Sequence, residues 1–479
     1  MYPGALPIIG HSLTLLKYGR DSWVFIKEAM LLALNSGQDA CTFVCGNYCF
    51  HVLTNPEDCY TVANTCMEKH DIYKFTKGFL GEGLMTAPGS VWKQHRKLLT
   101  PAFNQQVLDG FLETFNKESR NLVISFNEKS RKVPFDPLPL LQHWSLFTVC
   151  STTMGFNGSE NDTEIFKEYM SILRKLFDYI MQRLLKFWLH NDLLFKWSNL
   201  KRQLDKDLHV VNRLSGKVNI LKKGDVKGTL NKRVCMKRLI KVDEAKNISN
   251  YESRNFKASI ELLIELKMKN VFTTKEVKEE GATIIAAGSD STSLTVNHIL
   301  INLGSHPDVQ EKVYKELLEI FGGVDRDVVK EDLSRMKYLE AVIKENMRLN
   351  PIAPLIIRHI DKDIHLRDYI LSAGDDIIIP IYALNRHSMW GPDAEVFRPE
   401  RWLDPGTLPK TSYAFASFGL GRRNCIGSNY AMMTMKTALA HILRRYKITA
   451  DENGVKYQLH ITLMPVSGNE IVIEKRHDV

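Results

Sequence analysis

Apolar positions recur at three- and four-residue spacing from about residue 90 to 350 and again after Gly427, which predicts helices over most of the chain. Strand-like stretches, rich in β-branched and aromatic residues, cluster near 41–54, 355–382 and 456–474. The expected fold is therefore mainly α with a smaller β-rich portion. Thr273-Thr274-Lys275-Glu276 reads as a capping box ahead of a long apolar helix that ends at Gly304, before His306-Pro307. A helix so apolar has to cross the interior. Its middle nevertheless reads "AGSDST", with a glycine, an acid and hydroxyls where a structural helix favours leucine or alanine.

Two further helices carry charge in apolar surroundings. In "EAVIKENMRLNP" Glu345 and Arg348 share one face among Val342, Ile343, Met347 and Leu349, and a buried pair needs further partners to offset its desolvation. Arg401 in "VFRPERW" can supply one. Trp92 and Arg96 stand four apart in "SVWKQHRKLLTPAF", where His95 and Lys97 read as solvated helix charges. Late in the chain, "ASFGLGRRNCIGSNYA" (416–431) sets Cys425 among three glycines and two arginines, just before an amphipathic helix, with no second cysteine nearby.

With 479 residues, 44% hydrophobic and 25% charged, the chain can bury a large core, and no linker or repeat divides it, so 1–479 is expected to be one unit. The net charge of +9 is spread out. Its densest run, 221–241, reads as a solvated face rather than a nucleic-acid site, and no nucleic-acid partner is expected. No apolar run is long enough to span a bilayer. The opening "MYPGALPIIG" resembles the hinge after a membrane anchor, and a longer native chain is expected. Eight irregularly spaced cysteines fit a reducing compartment. Cys41, Cys45 and Cys49 are expected as small buried strand residues around a Gly46-Asn47 turn rather than metal ligands.

The chain resembles the cytochrome P-450 family over nearly its whole length. The motif residues are Phe418, Gly421, Arg423, Cys425 and Gly427, joined in order by Trp92/Arg96, the Ala287–Thr292 stretch, Glu345/Arg348 and Arg401. The nearest likeness is the microsomal clan that includes fatty-acid omega-hydroxylases and many insect members. The resemblance implies a haem held between the long central helix and the cysteine loop, with Cys425 as the thiolate ligand of iron. Glycines around it let backbone amides approach the sulfur, Phe418 shields it, and Arg423, Trp92, Arg96 and Arg358 reach the haem propionates. Gly288 is expected to leave room for dioxygen. Asp290 and Ser291 match the acid–alcohol pair that delivers protons; the usual alcohol is threonine, and Thr292 can share the role. Ala287 stands where covalently tethered relatives carry a glutamate, so haem b is expected to be non-covalent apart from the Cys425–iron bond. Glu345, Arg348 and Arg401 are implied to be structural.

The implied reaction is insertion of one atom of dioxygen into a lipophilic molecule: fatty-acid-like, terpenoid, steroid or xenobiotic. Phe75, Phe79, Leu84, Ile284, Ala287, Leu355, Ile356 and Met464 are candidates for the apolar wall. The chain has no phosphate-cradling loop for a nicotinamide or flavin, so electrons would come from an NADPH-dependent flavoprotein reductase, with a cytochrome b-type donor as a second source. Lys93, Lys97, Arg422 and Lys436 are candidates for its docking face. The implied location is the cytosolic face of the endoplasmic reticulum membrane. Two alternatives stay open: a haem-thiolate isomerase or dehydratase acting on lipid peroxides, and a non-catalytic haem-binding sensor.

Overall fold

The computed structural model describes residues 3–7, 9–46, 48–129, 133–156, 163–218 and 259–476; the basic run 221–241 and Asn47 lie outside them. Helices dominate, and the organising element is the central helix Thr274–Ser305. Its capping box forms as the sequence predicts: the Glu276 amide donates to Thr273 Oγ1 and the Thr273 amide to Glu276 Oε2. Nearly every residue from Glu280 to Gly304 is buried. Gly304 is fixed by its neighbour, because a Cβ there would lie 2.6 Å from the Ala450 backbone nitrogen. Helix Leu138–Thr153 crosses the central helix closely.

The four-stranded sheet runs in the order Ala40–Cys45, Tyr48–Leu53, Asp376–Ile379, Ile356–His359. The first pair is an antiparallel hairpin. Its second strand pairs in parallel with Asp376–Ile379, Phe50 opposite Asp376, and this strand pairs antiparallel with Ile356–His359. A second hairpin, Lys456–Leu459 with Leu463–Ser467, turns at His460–Thr462. All three expected β regions therefore carry strands. Gly46 has the φ of +57° that the turn needs. Of the three clustered cysteines only Cys45 is buried, while Cys49 is exposed.

The sequence reading placed no helix before residue 90, and the structure has Ser12–Tyr18, Ser22–Asn35 and Pro56–Thr65 there. The last announces itself by local chemistry, since Asn55 caps the Glu57 and Asp58 amides and Pro56 opens the first turn. The helix after Gly427, Ser428–Arg445, passes directly into a strand, Tyr446–Thr449, that also went unread.

Glu345, Arg348 and Arg401 are all fully buried and meet as expected. Glu345 Oε1 accepts from Arg348 Nη2 at 2.8 Å and Arg401 Nε at 2.9 Å, and Oε2 accepts from Arg348 Nε and Trp402 Nε1 at 2.9 Å. Burial alone would raise the Glu345 carboxyl; the Arg348 hydrogen bonds and charge more than reverse this and hold it below its usual range. The remaining guanidinium donors go to backbone carbonyls of Asn385, Trp390 and Asp393. Asn385 passes the order on. Its amide group donates to Arg348 O and Ser417 Oγ and accepts from the Ala416 amide, so the triad positions the first residues of the cysteine loop.

Candidate active site

The cysteine loop is held from three sides. The Cys425 amide donates to Phe418 O at 2.8 Å, closing a turn in which Gly419 and Gly421 have positive φ. Gly421 also lies against Pro56–Thr65, where a Cβ would come within 2.2 Å of Ala63 O. Arg96 donates to both Asn424 O (2.7 Å) and Asn424 Oδ1 (3.0 Å), tying helix Gly89–Leu99 to the residue before Cys425. Gly427 caps the following helix, and a Cβ there would meet only Phe103, at 3.9 Å. Burial pushes the Cys425 thiol above its ordinary value, while the nearby Gly427 amide and the Arg96 charge act the other way, toward thiolate. Cys425 lies deep in the fold yet its surface is open, so the sulfur faces an interior space.

On the central helix, Ala287, Gly288 and Ser291 are the accessible residues of an otherwise buried stretch, with Ala287 and Ser291 one turn apart on one face. Ser291 Oγ donates to Ala287 O at 2.7 Å. Ser289 and Ser293 bond carbonyls in the same way, and Thr292 is buried. Gly288 departs from expectation. A Cβ there would come 3.1 Å from Val149 Cγ2, so its missing side chain accommodates the crossing helix Leu138–Thr153 rather than the space that Ala287 and Ser291 face. Asp290 is 3% exposed and accepts from Thr462 Oγ1 at 2.8 Å. Burial raises its carboxyl to about 6, against the Thr462 bond and the Arg174 charge.

A cluster of cations lies beside the loop. Arg358, in strand Ile356–His359, is 2% exposed, and its Nε has no hydrogen-bond partner; Arg423 Nε and Nη1 are likewise buried and unpartnered. Arg423 stacks over Trp92, its guanidinium carbon 4.9 Å from the ring centre, and donates to Ala87 O at 2.5 Å. Burial, then Arg358, draws the Arg423 guanidinium down to about 10. Lys69, which the sequence reading missed, joins them: burial and the charges of Arg358 and Arg423 lower its ammonium well below its usual range. A lone lysine has no spacing partner to betray it. Unsatisfied buried guanidinium donors call for an anion. A haem, with two carboxylates for the cations and an iron that takes a thiolate, would fit this set.

The family model described as Cytochrome P450 matches residues 2–471. The chain belongs to the cytochrome P450 family. Among its relatives, cytochrome P450 4V2 of Rattus norvegicus is 32% identical over 417 residues, 86% of this chain and 77% of that protein. Cytochrome P450 4c21 of Blattella germanica is 29% identical over 483 residues, 99% of this chain and 93% of the relative. Cytochrome P450 4c3 of Drosophila melanogaster is 30% identical, covering 89% and 80%. As a P450 it is an oxidoreductase of the haem-thiolate monooxygenase type, and the family implies a thiolate–iron bond.

Three other expectations change. His95 is not solvated: it is 3% exposed, and its Nδ1 lies 2.7 Å from Glu280 Oε1, while the other Glu280 oxygen accepts from the Leu84 amide. Burial opposes a charge on His95, but the Glu280 bond together with the charges of Glu280 and Glu276 outweighs it and raises the imidazole. Lys436 is not on a docking face, because it is buried and donates to Leu333 O and Glu340. Lys93, Lys97 and Arg422 are exposed. Of the proposed apolar wall, Leu355 alone lines the apolar cavity of about 200 Å³ beside the site. Its other walls include Met30, Phe43, Tyr48, Tyr73, Ile180, Ile357 and the hairpin residues Leu459–Ile461. Phe75 and Phe79 pack in the core, against Arg183 and Phe177. Met464 packs with Leu138, Leu294 and Ile352. No residue of the central helix or cysteine loop lines this cavity.

Proposed function

We propose that this P450, acting as one domain over 1–479, inserts one oxygen atom of dioxygen into a lipophilic substrate with electrons from an NADPH-dependent flavoprotein reductase. The observation that carries the reading is the pairing of an amide-supported Cys425 with the unsatisfied guanidinium donors of Arg358 and Arg423. Cys425 would give the thiolate ligand, and Arg358, Arg423 and Lys69, with Trp92 stacked against Arg423, would hold the propionates. Arg96 supports the loop. When bound, haem supplies dioxygen activation. Ser291 would hold a proton at its hydroxyl facing the reaction space, and Asp290 would bring protons to it. Gly288 sets the helix crossing that fixes both. Ala287 has no carboxylate, so haem b would be released intact by acid–solvent extraction.

An apolar cavity favours a fatty-acid-like, terpenoid, steroid or xenobiotic substrate. Trp188, Leu193, Leu194 and Trp197, from 45% to 77% exposed, form an apolar patch on one short segment. Such a patch suits contact with a membrane surface, here the cytosolic face of the endoplasmic reticulum. Exposed Lys93, Lys97 and Arg422 suit an acidic reductase.

The test is the Soret band of the ferrous carbonyl complex. The wild-type protein should show the thiolate-type position and Cys425→Ser should lose it; a variant that keeps it would remove Cys425 from the role. Turnover with NADPH and reductase, compared with turnover on a lipid hydroperoxide alone, separates the monooxygenase from an isomerase.

A further inference from the structure

The turn of the second hairpin touches two places at once. Leu459, His460 and Ile461 line the apolar cavity, and the next residue, Thr462, donates its hydroxyl to Asp290 on the central helix at 2.8 Å. The turn is short, closed by the His460 amide on Thr462 O at 3.0 Å, and the following residue is tethered through the Leu463 amide to Ile352 O at 2.8 Å. A displacement of the cavity-lining residues is therefore transmitted to Thr462 over one or two residues of constrained backbone. Among the described residues Asp290 has one charged neighbour, Arg174 of helix Thr163–Leu185, whose guanidinium also sees Asp136 and donates to Gln142. The Nε of Arg174 is buried without a partner, so Arg174 can take up a carboxylate that leaves Thr462.

We propose that Thr462 is a positioning residue for proton delivery: its hydroxyl anchors the Asp290 carboxylate on the hairpin side of the central helix, and a molecule in the apolar cavity, pressing on Leu459–Ile461, releases it. This rests on the monooxygenase reading, in which one oxygen atom enters the substrate and the other leaves as water, consuming two electrons from NADPH and two protons from solvent. Asp290 relays those protons and is regenerated, so the release changes when protons arrive and not the stoichiometry. The effect is to tie proton supply to occupancy, which limits loss of reducing equivalents to peroxide in the empty enzyme.

The experiment uses the haem-loaded protein, with Thr462→Val and Thr462→Ser, and dodecanoic acid as the probe for the cavity. The first readout needs no turnover: the carboxyl band of Asp290 in infrared difference spectra, identified by its loss in Asp290→Asn. In wild type the titration of this band should shift when dodecanoic acid is added. In Thr462→Val it should be displaced upward beforehand, because a donor to the ionised form is gone, and should no longer respond to the probe. The serine variant should restore the response. The second readout is the ratio of peroxide released to NADPH oxidised in the absence of dodecanoic acid, which should rise several-fold in Thr462→Val and return toward wild type in Thr462→Ser. An Asp290 band that titrates alike in wild type and Thr462→Val, or an unchanged ratio, overturns the proposal. A wild-type protein that turns over with neither NADPH and reductase nor peroxide, while its Asp290 band still responds to the probe, overturns the monooxygenase reading instead.

Discussion

Ser291 donates its hydroxyl to the Ala287 carbonyl, a bond that holds it in place while its surface stays accessible. Replacing it with alanine should leave haem content and substrate-induced spectral shifts near wild type. It should also divert electrons from product to peroxide, read as the fraction of NADPH recovered as product. Asp290 carries a cost in stability. Its folded carboxyl, near 6, lies above the ordinary 3.8, so the protonated form is favoured: the stabilisation is whole below about pH 4 and is lost as pH rises through about 6. Asp290→Asn, which keeps an acceptor for Thr462, should therefore be more stable than wild type at pH 7 by about 1–3 kcal/mol. In denaturant titrations that difference should vanish near pH 4. At this scale the cysteine motif, the acid and the arginines are legible because each must stand at a fixed spacing from its neighbours. Lys69 and Thr462 are not, since they reach the site only through folds of the chain that bring distant segments together.

Among elements, the network of helix Lys337–Leu349 and the segment around Arg401 decides where the cysteine loop begins. Removing one charge from it leaves buried guanidinium groups without compensation. Glu345→Gln should cost roughly 3–5 kcal/mol. Expression should fall, and the haem of the surviving protein should convert readily to the form without a thiolate ligand, measured by its carbonyl spectrum over time. The central helix was readable to its caps, as hydrophobic periodicity and a capping box agree at both local and tertiary levels. Its length also explains Gly304: Gly304→Ala would drive a methyl into the Ala450 backbone and should lower the thermal midpoint without altering the Soret band of folded protein. Ser12–Tyr18 escaped the periodicity reading because two turns give too few repeats to establish a period, and tertiary packing supplies the stability of so short a helix.

For the molecule as a whole, the apolar patch at Trp188–Trp197 and the net charge of +9 act together. Trp197→Ser with Leu193→Ser should reduce co-flotation with vesicles containing anionic lipid, and added salt should reduce it further. The mainly helical class was legible from the sequence, but the order of strands in the sheet was not, since register depends on partners far away in the chain. That separation has a consequence during synthesis. Phe50 and Asp376 pair in parallel though 326 residues apart, so the strand Tyr48–Leu53 leaves the ribosome well before its inner neighbour exists. At about 5–20 residues per second the wait is roughly 16–65 s. Through that interval the nascent hairpin presents an open edge and free thiols at Cys41 and Cys49. Protection by chaperones is needed most in this window, and chains released before residue 376 should be recovered as aggregates.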